Sequence, residues 1–337
     1  MATIGEKYNL LDIVRATDPS GAIAKTVEHM NQVNQILDDI SYIEGNLPTG
    51  HQTTVRTGLP TVSWRKLNYG VPQSKSTKQK ITETAGMLEV FSEIDVSEAK
   101  LNGNSEAFRF SEDKAFIESM GQQMADTLFN GDVTVNPEKF TGLESRLHTI
   151  SSTITNIGYQ IIDAGGVASD NTSIYIVGWS PETVTCFYPK GSKAGLEIED
   201  LGKLKIYDDL GNGYMAYSTH YKWDMGFAVK DWKYTARVAN IDVSDLKTTG
   251  SAADTAPALL DYITVAISRI KNLSNCKPVM YMNRTVHTYL KIMMRNKMNI
   301  NLTMSDYMGR MNVLFFDGIP IREIDESILT NAESQIT

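Results

Sequence analysis

The sequence predicts an α+β protein ordered as a helical arm, a β-hairpin, a long helix and then a mixed α/β region. Three observations predict it. Ser105 to Gly131 carries Ile117, Met120, Met124 and Leu128 at helical spacing. A helix of about 25 residues there would be roughly 38 Å long, well beyond the usual three turns. Within residues 51–95, Val62 and Trp64 and then Leu67, Tyr69 and Val71 alternate with polar positions, as in a two-stranded hairpin. From Ile174 onward, short β-rich runs are interleaved with amphipathic helices.

With 337 residues the chain can bury a sizeable core, and its length fits two domains. Hydrophobic content of 42% and charged content of 21% describe a folded protein. A net charge of -8 disfavours a protein built to grip nucleic-acid phosphates. Cys186 and Cys276 alone make no disulfide scaffold and fit a reducing cytoplasm. The first 21 residues include acids and lack a long apolar run, so no secretory signal is expected. No stretch approaches the roughly 20 apolar residues of a membrane-spanning helix.

Taken in order, residues 1–17 read as extended. Asp18-Pro19 then offers a cap followed by proline at the first helical position. Ile23, Val27, Met30, Val33, Ile36, Leu37 and Ile40 continue as an amphipathic helix, with a turn region at Gly45–Gly50. Such a helix docks on its own domain or on a neighbouring subunit. In the hairpin, Val62 and Trp64 alternate in one phase and Leu67, Tyr69 and Val71 in the other, so a β-bulge is expected at Arg65-Lys66. Gly70–Thr77 reads as a polar tip, and Lys78–Ile94 as the returning strand. Lys75, Lys78 and Lys80 crowd the tip, while Glu83, Glu89, Glu93 and Asp95 lie towards the base. A hairpin with a polar outer half cannot bury itself. It is either a solvated charged hairpin or an arm that meets an acidic surface on its neighbour.

The long helix has Asn104 or Ser105 as its cap and Gly131 as its stop. After it, Phe140 and Leu143 are expected to anchor a turn-rich loop. Ile174–Val177 and Thr183–Tyr188 read as buried strands broken at Trp179-Ser180-Pro181. Leu204–Tyr207 and Tyr214–Tyr221 flank a hairpin turn at Asp208–Gly213. Phe227–Val229 and Tyr234–Ile241 extend the strands. Ala256–Ile270 is expected to be helical, Val279–Met282 a strand, and Asn283 or Thr285 the start of a helix through Met298. Gly309–Ile324 closes with strands around a Gly318–Pro320 turn.

Chemistry is sparse. No GxxxxGK[ST], GxSxG, HExxH or CxxC spacing is present, and His29, His51, His148, His220 and His287 are scattered. Gly211-Asn212-Gly213 reads as a hairpin turn, and Asp38-Asp39 and Asp208-Asp209 as acids at a helix surface and a turn. Trp223, Phe227, Trp232 and Tyr234 read as core. Cys186 and His220 would be the pair to test in a soluble α/β enzyme, although Cys186 stands in an apolar strand pattern. The reading is therefore of a non-enzyme with no catalytic, cofactor-binding or metal-binding residues.

Three stretches carry a resemblance: TGLPTVSWRKLNYGVPQSKST, SEDKAFIESMGQQMADTLFNGD with EKFTGLESRL, and FFDGIPIREIDESIL. Together with the order of parts, they resemble the major capsid proteins of tailed bacteriophages with the HK97 fold, in the podovirus-type branch. The resemblance implies an N-terminal arm at 1–50, an extended loop (E-loop) at 51–98 and a peripheral domain with its spine helix at 99–152. It implies an axial α/β domain at 153–309 and a return to the peripheral domain at 310–337. It further implies an icosahedral shell of hexamers and pentamers enclosing double-stranded DNA without sequence-specific binding and without a membrane. Portal, scaffolding and possible decoration proteins are the implied partners, and the scaffold is expected to be separate because the arm is short. Assembly in the bacterial host cytoplasm and residence in the virion follow from the same resemblance. The nearest alternative is an encapsulin-like compartment shell. Two assembly residues are singled out on physical grounds: Gly121, a mid-helix glycine that could let the spine bend, and the Lys75, Lys78, Lys80 group, which could steer the loop onto acidic neighbours.

Overall fold

The computed structural model describes residues 35–337 except 102–104, 168, 209, 248–251, 295–301 and 308–309. The expected arm helix before Gln35 lies outside the described residues. Its last turn is present as α1 (Ile36–Asp39), followed by β1 (Tyr42–Glu44), which pairs in parallel with β6. The hairpin is β2 (Gly50–Gly58) and β3 (Thr77–Asp95), and the next helices are α2 (Val96–Leu101) and α3 (Ser105–Asn130). Then come α4 (Leu143–Arg146), β4 (Ile161–Asp163), β5 (Asn171–Trp179), β6 (Val184–Tyr188), β7 (Leu196–Tyr207), β8 (Gly213–Val229) and β9 (Thr235–Asp242). The chain continues through α5 (Val243–Lys247), α6 (Ala252–Arg269), β10 (Lys277–Asn283) and α7 (Arg284–Met294) to β11 (Leu302–Tyr307), β12 (Arg310–Phe316) and β13 (Ile319–Ile324).

Among the described residues, the chain forms two compact units. One joins Met87–Met124 to Gly195–Trp223; the other comprises Val33–Gly86, Ala125–Ala194 and Asp224–Thr337. The boundaries expected from the sequence do not follow this grouping, which places β7 and the first half of β8 with the hairpin base and the long helix.

In the larger unit the core is built on β5, buried along its whole length. Its sequence NTSIYIVGW is nearly continuous in β-branched and aromatic residues, as a strand covered on both faces must be. It pairs antiparallel with β10 and β9, while β10 pairs in parallel with β13 and β4 in parallel with β9. Helix α6 lays Leu259, Ile263, Ala266 and Ile267 onto β4 and β9, the apolar face its spacing predicts. Helix α7 starts where expected, with Asn283 Oδ1 accepting from Val286 N at 2.9 Å as its cap. The β12–β13 turn is Asp317-Gly318, both at positive φ (51° and 78°), one residue earlier than expected. Strands β1, β2, β4 and β11 were not expected; they are short or polar and carry no alternating apolar signal.

Two buried guanidinium groups tie distant parts of this unit together. Arg322 on β13 is fully buried and meets Asp39 at 2.6 and 2.9 Å through two nitrogens. Tyr281 Oη adds a third donor to Asp39 at 3.3 Å and itself accepts from Trp179 Nε1 at 2.8 Å. Asp39, expected to be a surface acid, is thus the buried partner that holds α1 on the body. Arg237 on β9 donates to Ser173 Oγ, Leu147 O and Glu333 Oε2 at 2.8–3.0 Å and lies over the Tyr175 ring. Glu333 belongs to the C-terminal segment, where Ile328, Leu329 and Ile336 are also buried.

In the smaller unit, Arg109 on α3 bonds Asp200 at 3.1 Å and Thr219 at 3.2 Å and lies over Tyr217. Tyr217 covers a small core of Ile94, Ala99 and Phe108. Long antiparallel pairing of β7 with β8 runs from Leu196↔Trp223 to Tyr207↔Gly213, with an irregularity at Asp200/Gly202.

Replacing Arg322 by Met leaves Asp39 buried without its cation. The unassembled chain should lose about 3–5 kcal/mol in urea unfolding, and Asp39→Leu in the same chain should restore most of it. A second expectation concerns acid. His287 Nδ1 donates to Glu323 at 3.2 Å, and that bond, with the nearby charges of His287, Arg284 and Lys291, holds the Glu323 carboxyl below its ordinary 4.5. A carboxyl depressed in the folded state stabilises above the unfolded value and loses that contribution as pH falls through the folded one. Glu323→Gln should therefore flatten the fall in stability below about pH 4.5 and leave stability at pH 7 lower than wild type, as read by denaturant midpoints across pH.

Candidate functional site

The strand pairing of the hairpin stops at Gly58↔Thr77. Residues 59–76 beyond it form no strand, so the expected alternation and the bulge at Arg65-Lys66 are not realised; the irregularity in pairing falls at Arg56/Gly58 instead. The tip turn is at Lys66–Tyr69, closed by Tyr69 N donating to Lys66 O at 3.2 Å, with Asn68 in the left-handed region at φ 69°. It precedes the Gly70–Thr77 stretch expected to be the tip.

This outer part is not nearly all polar in its effect. Leu59, Val62, Trp64, Leu67, Tyr69 and Val71 are all exposed, Trp64 completely so. Scattered exposed apolar residues are ordinary, but six within thirteen consecutive positions form a patch that marks an interaction site. Lys75 lies in this segment, whereas Lys78 and Lys80, expected at the tip, stand in the β3 ladder opposite Arg56 and Thr54; all three are exposed, and among the described residues none has an ion-pair partner.

The base is held differently. Glu83 receives both terminal nitrogens of Arg146 at 2.8 and 2.7 Å, a bidentate bridge whose two side chains are mostly buried. Gly86 lies against Glu138 O and Phe140, so a side chain there would collide with backbone. Phe140 and Leu143 are buried, as their anchoring role required. Further along β3, Glu89 meets His220 at 3.3 Å and Lys222 at 3.8 Å, and Phe91 stacks on His220 with ring centroids 4.4 Å apart. Glu83 and Glu89 are therefore occupied by cations within the chain and Asp95 accepts from Ser97 N, whereas among the described residues Lys75, Lys78 and Lys80 have no ion-pair partner.

Helix α3 runs from Ser105 to Asn130 without interruption, and Gly131 N closes its end on Thr127 O at 3.0 Å. Met120, Met124 and Leu128 are buried with Phe108, but Ile117 and Phe110 of the expected stripe are exposed. Among the described residues, Gly121 has no atom within 4 Å of where a Cβ would stand, so none of their elements approaches it closely.

The pair considered for catalysis does not have the properties of a nucleophile and base. Cys186 is fully buried in β6, and burial pushes its thiol well above the ordinary value. His220 is occupied by Glu89 and Phe91. Asp208 closes the β7–β8 turn by accepting from Leu210 N and Asn212 N, which is the turn role expected of that segment. Phe227 and Tyr234 are core, whereas Trp223 and Trp232 are half-buried. Among the described residues, no group of three His, Cys, Asp or Glu side chains could hold a metal ion, and no helix is long and apolar enough to cross a membrane.

A hairpin whose end exposes apolar side chains, a long helix and a set of buried strands match the capsid proteins of the HK97-like α+β class. The family model for major capsid protein GP7 matches residues 18–337, and the chain belongs to that family. A chain from the structure of bacteriophage Epsilon15 is similar at 30% identity over 99% of both chains, with a TM-score of 0.75. More distant are the capsid of an empty GTA particle (9% identity, 68% of this chain and 97% of that chain, TM-score 0.45) and the SrpI encapsulin of Synechococcus elongatus (9%, 64% and 90%, TM-score 0.41). No curated protein matches. The protein is thus a structural component of a phage virion, forming an icosahedral shell from many copies of itself.

Because the space at Gly121 is open and its backbone helical, Gly121→Ala should raise helix stability by up to about 1 kcal/mol and slow amide exchange along residues 115–127. Faster exchange there would mean that glycine is needed for the folded geometry.

Proposed function

We propose that this chain builds the wall around packaged double-stranded DNA by laying residues 59–76 across a neighbouring copy. One observation carries the reading: this segment exposes six large apolar side chains and its own fold supplies no surface to cover them. Apolar burial is the main favourable term in association, and it is available here only between copies. In this reading 1–50 is the N-terminal arm, 51–98 the E-loop, 99–152 with 310–337 the peripheral domain, and 153–309 the axial domain clustered at five-fold and six-fold positions. The grouping of β7 and the first half of β8 with α3 supports moving 195–223 to the peripheral domain.

Assembly takes place in the bacterial cytoplasm with a separate scaffolding protein and a portal, and decoration proteins can bind the finished shell. The wall does no catalysis of its own; the sealed thiol of Cys186 supports this. A net charge of -8 keeps the lining from gripping DNA before packaging.

Lys75, Lys78 and Lys80 have the role of guiding the E-loop to acidic surface on the neighbour. Exposed pairs add only about 0–1 kcal/mol each, so their effect is on rate and register. Gly121 has the role of letting α3 bend in a precursor shell and straighten on expansion.

Two sets of variants separate these contributions in light-scattering assembly assays. Trp64→Ser with Leu67→Ser and Tyr69→Ser should leave the unassembled chain folded by circular dichroism and abolish shells under electron microscopy. Reversal of Lys75, Lys78 and Lys80 to Glu should slow assembly about tenfold or more and remove most of its salt dependence. Shells of normal yield from the apolar triple variant would reject the arm reading, and an unaltered salt dependence would reject the steering role. Following expansion of Gly121→Ala shells tests the hinge: unchanged precursor geometry and expansion would sink it.

A further inference from the structure

A second surface is built for a strand. Among the described residues, β2 pairs with β3 along one edge only, apart from the Leu47–Gly50 bridge at its start. Its other edge borders a groove of about 780 Å³ lined by residues 53–57 of β2 and by the segments around Pro181 and Trp232. An unpaired edge with Thr53, Thr54, Val55 and Thr57 has none of the prolines or lysines that blunt an edge. Thr53 Oγ1 is buried there with no hydrogen-bond partner.

The groove has a charge preference. Arg56, Lys230, Lys233 and Lys271 line it against Glu182 and Asp231. Asp231 is engaged by Lys271 at 3.6 Å, and among the described residues no carboxylate stands within ion-pair distance of Arg56, Lys230 or Lys233. Lys230 is partly stripped of water, which pulls its ammonium below the ordinary value; a carboxylate brought into the groove would relieve that cost. This excess of cations occurs in a chain with a net charge of -8.

The chain also carries a strand that answers this preference. Among the described residues, β7 pairs with β8 alone, along one edge of its twelve residues. Its first part places Glu197 and Glu199 two positions apart and exposes Ile198 between them, while the next acid, Asp200, is already engaged by Arg109. The irregularity at Asp200/Gly202 ends this straight acidic run.

We propose that the acidic edge of β7 in one copy adds as a strand to the free edge of β2 in the next, its carboxylates meeting Arg56, Lys230 and Lys233 in the groove. This rests on the shell reading and names one contact within it. Main-chain hydrogen bonds along the paired edges give affinity, and the charges give register and exclude β7's own lysine-bearing half, Lys203 and Lys205, from the same place. The contact is heterologous, since the two edges differ, so it propagates around a ring of copies and does not stop at a dimer.

The experiment is cysteine pairing in assembled shells, on a Cys276→Ser background that leaves only buried Cys186. Copies carrying Thr54→Cys are mixed with copies carrying Ile198→Cys or Glu199→Cys, which cover adjacent registers, and oxidised before and after assembly. Directly opposed strand residues have Cβ atoms about 4.5–5.5 Å apart, near enough for a disulfide after small adjustment. Disulfide-linked pairs should appear only after assembly and only in mixtures. In parallel, Lys230→Glu with Lys233→Glu should cut the assembly rate at least about tenfold, and Glu197→Lys with Glu199→Lys on the same chain should restore it. Normal shells with no linkage in any mixture and no rescue overturn the pairing and leave the shell reading intact. A native chain that forms no shell overturns both.

Discussion

The structure depends on a mismatch between what the chain exposes and what it can cover. Residues 59–76 put a fully exposed indole and five other large apolar side chains beyond the last rung of the β2–β3 ladder. In an isolated molecule that arrangement costs hydration free energy and invites aggregation. It is tolerable in a protein whose folded lifetime is spent among copies of itself. The rest of the architecture then has one task, which is to hold the outstretched part by a rigid root.

That root is electrostatic as well as apolar. Glu83 and Arg146 grip each other at the hairpin base, and Arg322 holds Asp39 of α1. Each is a bidentate pair with little or no water around it, so neither partner can be lost without leaving a stranded charge. Such pairs are not efficient sources of stability compared with packed hydrocarbon. They do fix geometry, because a guanidinium fork accepts a carboxylate in few orientations. A directional lock is what a projecting element needs at its point of attachment.

Much of this was legible in the sequence and some was not, for physical reasons. The long helix was clear because its length, start and glycine stop are local properties, and the buried strands β5, β6, β9 and β10 were clear because continuous apolar runs have few alternatives. Strand β2 was invisible: HQTTVRT has neither alternation nor apolar content, and it becomes a strand through its ladder with β3. The phase switch at Arg65-Lys66 was misread since Val62, Trp64, Leu67 and Tyr69 are exposed and lie on no strand, so their spacing reports no strand face. Asp39 and Glu333 were likewise beyond reach. Adjacent or terminal acids are surface residues by default, and only the fold brings Arg322 and Arg237 to them, from 283 and 96 positions away. Lys75, Lys78, Lys80 and Gly121 stand out in the sequence by composition and position alone, while the cationic groove beside β2 draws on three separate segments and has no signature in any one of them.

The packing of residues 328–336 has a consequence for mutation. Ile328, Leu329 and Ile336 are buried, Asn240 holds Ile336 through both its main-chain groups, and Glu333 is the counter-ion of Arg237. Loss of residues 333–337 would therefore act as a lesion in the centre of the larger unit. It would strip Arg237 of its anion and reopen the flank of β9. Terminal truncations of this coat protein should be as harmful as substitutions in β5, and fusion partners are better carried at the exposed β7–β8 turn near Leu210.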